Sequence, residues 1–383
     1  MRPKRTSFEL FAVAAPGLEP IVARELAALG ISPGKIEAGG VPFTGGQADA
    51  YQANLWLRSA SRVVVRIAEF EARAFHELER LSRKVPWEEF VQPRGLVRFR
   101  ATCRKSRLYH SDGVADRLAA AVERRVPGVR MIAPAAPDDD LPDESGAQLF
   151  TVRLLHDRCT ISADTSGALL HQRGYRLASG KAPLRETLGA AMILASGWAP
   201  GDSLIDPMCG SGTIPIEGAL LARRIAPGSG REFAFMQWPD FDGTKWESIL
   251  DKAIAQELPG TAAPIRGSDR DAGVIAMARE NAIRAGVEND IEFAVGSISD
   301  LRATSLEGWI LANPPYGVRV GDPTALRDLY AQFGNVVREG FGGWKIGMLS
   351  ADRKLEGQLK LPLKSLFETG NGGIPVRFLV ASV

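Results

Sequence analysis

Between Ser203 and Leu349 short apolar runs alternate with segments of helical periodicity, and that alternation leaves few folds open. The runs are Ser203–Asp206, Ile265–Asp269, Ile291–Val295, Trp309–Ala312 and Trp344–Leu349. Helical patterns begin at Thr213 and cover Asp271–Ala285 and Thr324–Arg338. Strands separated by helices pack as a parallel sheet covered on both faces. Leu363–Glu368 and Pro375–Val380, on either side of Asn371-Gly-Gly373, read as a closing hairpin. It would put an antiparallel strand at one edge.

Two shorter segments precede this one. In the first, Phe8, Leu10, Ala12 and Ala14 alternate as in a strand. Leu18, Ile21, Val22, Leu26 and Leu29 then follow at helical spacing, with Gly30 in the C-cap position. A helix near Ala48–Ser59 and a strand at Val63–Ile67 complete a β-α-β-like α+β unit. In the second segment, Val97, Phe99 and Ala101 mark a strand. Val114, Leu118, Val122 and Val126 mark a helix face that Ser111 or Asp112 could cap. Pro134–Gly146 reads as a surface loop, and Phe150–Leu155 and Cys159–Asp164 as a strand pair. The expected domains are therefore 1–70, 71–167 and 168–383.

Asp206-Pro-Met-Cys-Gly-Ser-Gly-Thr213 is a strand end, a glycine turn and a helix start. Gly210 and Gly212 let backbone approach a ligand closely, and the helix N-terminus favours polar or negative groups. The spacing fits neither the dinucleotide fingerprint nor a P-loop. The next strand ends on Asp269, placed to accept hydrogen bonds from ribose hydroxyls; Asp271 more naturally caps the following helix. The third ends near Ser297 and Ile298, where an adenine ring would lie. These strand ends together describe an adenosine with a polar tail. Pro207, Arg270, Pro183, Leu184 and Asn313 complete the candidate cofactor set. Cys209 has no basic neighbour in sequence to activate it and reads as a small packing residue against the cofactor.

The fourth strand runs into Asn313-Pro-Pro-Tyr316. An amine conjugated to a ring is a poor nucleophile because its lone pair is delocalised. The side-chain oxygen of Asn313 and the carbonyl of Pro314 could hold its two hydrogens and aim the lone pair at a methyl sulfonium. The prolines fix the backbone and remove N–H donors. Tyr316 offers a face on which a flipped base could stack. Asn313, Pro314 and Tyr316 are the candidate catalytic residues.

Composition restricts the setting more than the chemistry. The 383 residues carry a net charge of +2. No apolar run approaches the ~20 residues of a membrane span, and no signal peptide is legible. Three scattered cysteines suggest neither a disulfide framework nor a zinc site, so a reducing, cytoplasmic setting and no metal are expected. Charge is concentrated locally: Arg94–Arg130 holds ten Arg/Lys against three Asp/Glu, an excess of seven. The stretch reads either as a solvated surface or as a phosphate-facing patch; in the second case Arg104, Lys105, Arg107 and Tyr109 are the candidate contacts, with RNA if the resemblance drawn below holds. Few aromatics lie nearby, which suggests binding by shape and phosphate.

These motifs resemble class I methyltransferases that carry an Asn-Pro-Pro-Tyr-type sequence. His171-Gln-Arg-Gly-Tyr-Arg176, Ala182-Pro-Leu-Arg-Glu-Thr187 and Asn313-Pro-Pro-Tyr-Gly317 narrow the likeness to THUMP-domain RNA guanine-N2 methyltransferases. Gly39-Gly-Val41, Asn54-Leu-Trp-Leu-Arg-Ser-Ala-Ser-Arg62 and Phe341-Gly-Gly-Trp344 bring it nearest to the N-terminal half of the bacterial 23S rRNA enzymes. The resemblance implies an α/β architecture. A Rossmann-like class I methyltransferase domain with a seven-stranded mixed sheet would follow ferredoxin-like and THUMP α+β domains. It also implies S-adenosylmethionine as cofactor and RNA as partner, 23S rRNA before tRNA. Two departures stand out. Ser297 replaces an acid common in relatives, which implies that adenine recognition is either weaker or moved to Asp300 or backbone. The second methyltransferase domain of the fused enzymes is absent from this sequence. The rivals are DNA adenine-N6 and protein glutamine-N5 methyltransferases, which the THUMP-like region disfavours, and a non-catalytic RNA-binding assembly factor.

Overall fold

The protein is described here by a computed structural model covering residues 6–133, 146–176, 184–316 and 323–383. Pro183, Gly317 and nearly all of the 134–146 loop lie outside the described residues. Contacts divide the chain into two units. One comprises Met1–Val13, Ala23–Leu170 and Arg231–Asp251; the other comprises Ala14–Val22, His171–Gly230 and Lys252–Val383.

The first unit is built on one seven-stranded sheet. Its strands are β1 (Phe8–Ala14), β2 (Gly40–Gly45), β3 (Ala60–Glu71), β4 (Leu96–Arg104), β5 (Arg130–Met131), β6 (Gln148–Leu155) and β7 (Arg158–Asp164). Their order is β2-β1-β3-β7-β6-β4-β5, so the sheet runs without a break through both N-terminal sequence segments. The join is the antiparallel pairing of β3 with β7. Buried side chains hold it. Asn54 donates to the hydroxyl of Thr165 at 2.8 Å and accepts from the hydroxyl of Ser166 at 2.6 Å. Arg62 forms a buried ion pair with Asp164. The Asn54–Arg62 motif is thus accounted for by structure, since buried polar groups need partners. Residues 231–251 add an aromatic cluster: Phe235 stacks on Tyr51 with centroids 4.4 Å apart, and Trp246 meets both edge-on.

The helix expected from Val114 to Val126 spans Ser111–Glu123. Neither Ser111 nor Asp112 caps it. Both lie inside its first turn, and the cap position falls on His110, which makes no side-chain cap bond. Sequence periodicity located the helix but not its first residue, because an N-cap is defined by non-helical backbone there.

The second unit carries the other seven-stranded sheet. Its strands are β8 (Ser203–Asp206), β9 (Ile265–Asp269), β10 (Ile291–Val295), β11 (Gly308–Ala312), β12 (Lys345–Ser350), β13 (Lys364–Asn371) and β14 (Ile374–Ser382). The order is β10-β9-β8-β11-β12-β14-β13. β8 to β12 are parallel, and β14 pairs antiparallel to β12, with β13 at the edge. This is the seven-stranded mixed sheet of a Rossmann-like domain, with its hairpin where the sequence put it. Gly372 and Gly373, at φ 57° and 81°, form the left-handed turn. β11 is buried on both faces: Trp309 and Leu311 enter one apolar cluster, Ile310 and Ala312 the other. That is why its sequence is uniformly apolar instead of alternating.

The strand order fixes the site. The parallel strands number outward in both directions from the β8–β11 pair, β8-β9-β10 on one side and β11-β12 on the other, which makes that pair the topological switch point. Ligands bind beyond the carboxyl ends of strands there. Leu204 lies beside Trp309 and Ile205 beside Ile310, so Asp206 and the residues that follow β11 emerge side by side.

Candidate active site at the switch point

Beyond β8, Gly210 and Gly212 take φ 51° and 87°, conformations that other residues adopt at a cost. The helix Thr213–Ala222 starts directly after the turn. Asp269 braces the turn from the end of β9: one carboxylate oxygen accepts the Gly210 N–H at 3.1 Å and the other accepts the Asp271 N–H at 3.1 Å. Asp271 caps the helix Ala272–Arg284 through the N–H groups of Gly273 and Val274, as its position suggested. Asp206 is 2% exposed and accepts the Met208 N–H at 3.1 Å. Burial holds its carboxyl well above the usual carboxylate range, and the neighbouring charge of Asp269 adds to this. Burial also pushes the Cys209 thiol far up, reinforced by Asp206 and Asp269. A thiol kept protonated is no nucleophile, and Cys209 packs in the core.

Two cavities open at these strand ends. A smaller one of about 180 Å³ is lined by Leu184, Asp206, Met208 and Cys209 to Ile214, without Gly212. A larger one of about 860 Å³ has two walls. Asp269, Arg270, Ser297 and Ile298 form one; Tyr316, Leu329, Gln332, Asn371 and Ile374 form the other. Asn313 and Met208 line both cavities. The Asn313 side-chain oxygen is buried and has no hydrogen-bond partner among the described residues. An unsatisfied buried acceptor costs about 1–3 kcal/mol, a cost that functional sites carry when a ligand supplies the donor.

The Asn313–Tyr316 loop is held from outside. The Tyr330 hydroxyl donates to the Pro315 carbonyl at 3.2 Å, and the Asn371 amide donates to the Tyr316 hydroxyl at 2.6 Å. Tyr316 is 9% exposed, and its burial raises the phenol's pKa. Sequence reasoning missed Tyr330, Asn371 and Gln332. Tyr330 sits on the apolar face of its helix and reads as core, and Asn371 reads as a turn former.

Pro207, Asp269, Arg270, Ser297 and Ile298 border the larger cavity with Pro314; Leu184, Gly210 and Thr213 border the smaller. Gly212 shapes the turn without lining either cavity. Asp300 is engaged locally, accepting both the Ser297 N–H at 2.9 Å and its hydroxyl at 2.8 Å. The His171–Arg176 motif lies behind the turn. Arg173 and Tyr175 each contact Glu217 at 3.2 Å, and Arg176 bonds to the Thr213 hydroxyl and, at 3.0 Å, to the Leu184 carbonyl. Arg104, Lys105, Arg107 and Tyr109 belong to the other unit, at the exposed end of β4, where Tyr109 is 70% exposed. Arg117 and Arg125 of the basic stretch are paired with Glu79 and Glu88. Among the described residues no ion pair engages Arg104, Lys105 or Arg107.

Residues 173–376 match the model of an RMKL-like methyltransferase domain, and residues 9–64 match that of an RlmL ferredoxin-like domain. The chain belongs to the RMKL-like methyltransferase family. A Synechocystis protein provisionally named an RNA methyltransferase is 36% identical over 383 residues, covering 98% of this chain and 96% of that protein. The ribosomal RNA large subunit methyltransferase K/L of Shewanella amazonensis is 36% identical over 389 residues, covering 97% of this chain and 52% of that one. The chain thus spans nearly all of the first relative and about half of the second. Among solved structures, a protein described as a methyltransferase and complexed with SAH matches with TM-score 0.87 at 30% identity, covering 99% and 98% of the two chains. A Listeria monocytogenes protein named as an N6-adenine-specific DNA methylase matches with TM-score 0.84 at 35% identity, covering 97% and 96%. Among the described residues no helix is long and apolar enough to cross a membrane, and no cluster of metal-ligating side chains occurs.

Proposed function

We propose that this protein transfers the methyl group of S-adenosylmethionine to the exocyclic N2 of a guanosine in RNA, with large-subunit (23S) ribosomal RNA favoured. The observation that carries the proposal is the orphaned Asn313 oxygen on the wall common to both cavities. The residues present fit the cofactor. Asp269 would hold the ribose, Ser297 and Ile298 would border the adenine, and the turn around Gly210 with Leu184 and Thr213 would receive the polar end. Bound there, the cofactor supplies an electrophilic methyl group. The rest is orientation by the chain's own groups. The Asn313 oxygen and the Pro314 carbonyl accept the two amino hydrogens and align the lone pair. Tyr316 gives a flipped base a surface.

The RNA assignment rests on the relatives' names and on the basic tip with Tyr109, where no ion pair engages Arg104, Lys105 or Arg107 among the described residues. We read residues 1–70 as ferredoxin-like, 71–167 as a THUMP RNA-binding domain and 168–383 as the catalytic segment, acting in the cytoplasm. The name of the Listeria neighbour favours a second reading, adenine-N6 methylation of DNA, because the same two acceptors suit adenine's amino group. A tRNA target is the third. Nucleoside mass spectrometry of RNA and DNA from a deletion strain separates them. The expected result is loss of N2-methylguanosine from 23S rRNA. Loss of the modification from tRNA would reassign the target, and loss of N6-methyladenine from DNA would overturn the RNA reading.

A further inference from the structure

The hairpin that closes the second sheet does more than cover an edge. Its turn places two glycines, Gly372 and Gly373, in the left-handed conformations that tight hairpins require. Asn is often used at such positions for the same reason. Here the glycines take both, and Asn371 remains the last residue of β13, with its side chain on the wall of the larger cavity. Its amide nitrogen donates to the Tyr316 hydroxyl at 2.6 Å, linking residues 55 positions apart. Ile374, the first residue of β14, lines the same wall.

Tyr316 needs such a partner. Its ring is buried at the cavity wall, and its hydroxyl is its one polar atom. A buried hydroxyl without a partner is unfavourable, and a tyrosine ring without one would be free to shift within the cavity. Among the described residues Asn371 makes the hydrogen bond to that hydroxyl. On the other side of the loop, Tyr330 fixes the Pro315 carbonyl. Asn313 and Tyr316 are therefore held relative to one another by two groups from outside their own loop.

We propose that Asn371 is a positioning residue for methyl transfer: it holds the Tyr316 ring as the fixed wall against which the target base is oriented toward Asn313. The inference rests on the reading of Asn313–Tyr316 as the amine-binding motif. It makes the tip of the β13–β14 hairpin part of the base-binding side of the site. A positioning hydrogen bond acts through its partner, so its loss and the loss of the partner's hydroxyl should not add.

The test is a double-mutant cycle with Asn371→Leu and Tyr316→Phe in the full chain. Methyl transfer from tritiated S-adenosylmethionine to total RNA from the deletion strain is followed. Total RNA contains rRNA and tRNA alike, so the assay is independent of which one is the target. Each single variant is expected to lose about tenfold in kcat, the size of one well-placed hydrogen bond. The double variant is expected to be no worse than the poorer single one, and cofactor Kd to be unchanged in all three. Asn371→Asp, which can accept the Tyr316 O–H, is expected to recover part of the loss when Tyr316 is present and none of it in the Tyr316→Phe background, whereas a merely structural hairpin defect would be relieved in both. Full additivity of the two losses, or an Asn371→Leu enzyme with wild-type kcat, would overturn the proposal while leaving the RNA reading intact. A wild-type protein that binds cofactor but methylates nothing in total RNA would overturn both.

Discussion

One carboxylate oxygen of Asp269 accepts the backbone N–H of Gly210 at 3.1 Å, tying the end of β9 to the glycine turn that follows β8. The residue assigned to the ribose therefore also braces the loop beside it. Asp269→Ala should weaken cofactor binding through both effects. Two charge-assisted hydrogen bonds together are worth about 3 kcal/mol, or about 100-fold in Kd. Isothermal titration with S-adenosylmethionine measures this directly, and an unchanged Kd would remove Asp269 from the ribose site.

Asn313 should behave in the opposite way. Its orphaned oxygen has no hydrogen-bond partner to lose among the described residues, so Asn313→Ala should fold and bind cofactor normally. Transfer should fall by about a hundredfold or more, the usual loss when one orienting group is removed from a preorganised site. A variant with near-normal turnover would refute the amine-holding mechanism.

The basic tip makes its own prediction. Replacing Arg104, Lys105 and Arg107 with Gln should weaken RNA binding and reduce the slope of log K against log salt by about 2. Fluorescence anisotropy across a salt series reads the slope. If it does not change, RNA does not touch this tip.

Asp206 gives a stability signature. Its folded-state pKa lies above the ordinary value of 3.8 because it is buried and near Asp269. Below pH 3.8 both folded and unfolded forms are protonated and burial costs nothing through ionisation. As pH rises above 3.8, the unfolded chain ionises more readily, and stability is lost progressively. Asp206→Asn removes this loss and keeps an acceptor for the Met208 N–H. Without cofactor, its melting temperature should exceed that of the wild type at neutral pH, and the gap should narrow toward pH 4. A gap independent of pH would show that Asp206 ionises in the folded state as it does in water.

Much of the second unit was legible because its constraints are local. Strands buried on both faces read as apolar runs, and Asp271 announced itself as a cap, as did Gly372 and Gly373 as a turn. Ser111 and Asp112 misled because cap identity depends on the backbone one residue earlier. Asn371 and Tyr330 were hidden for a different reason. Each has a satisfactory local role, turn residue or helix core, and only a partner 55 or 15 positions away reveals the other role.

By itself the sequence determined the alternation of strands and helices, the two turn motifs and the order of their strands, since periodicity and glycine geometry act over a few residues. The tertiary structure decided that Asp206 and Asn313 line one cavity. That follows from the register of β8 with β11, set by hydrogen bonds across more than a hundred residues. It also decided that the Asn313 oxygen would be buried without a partner, and that a hairpin from the end of the chain would steady Tyr316. Such pairings arise from packing and burial, which no local pattern of residues encodes.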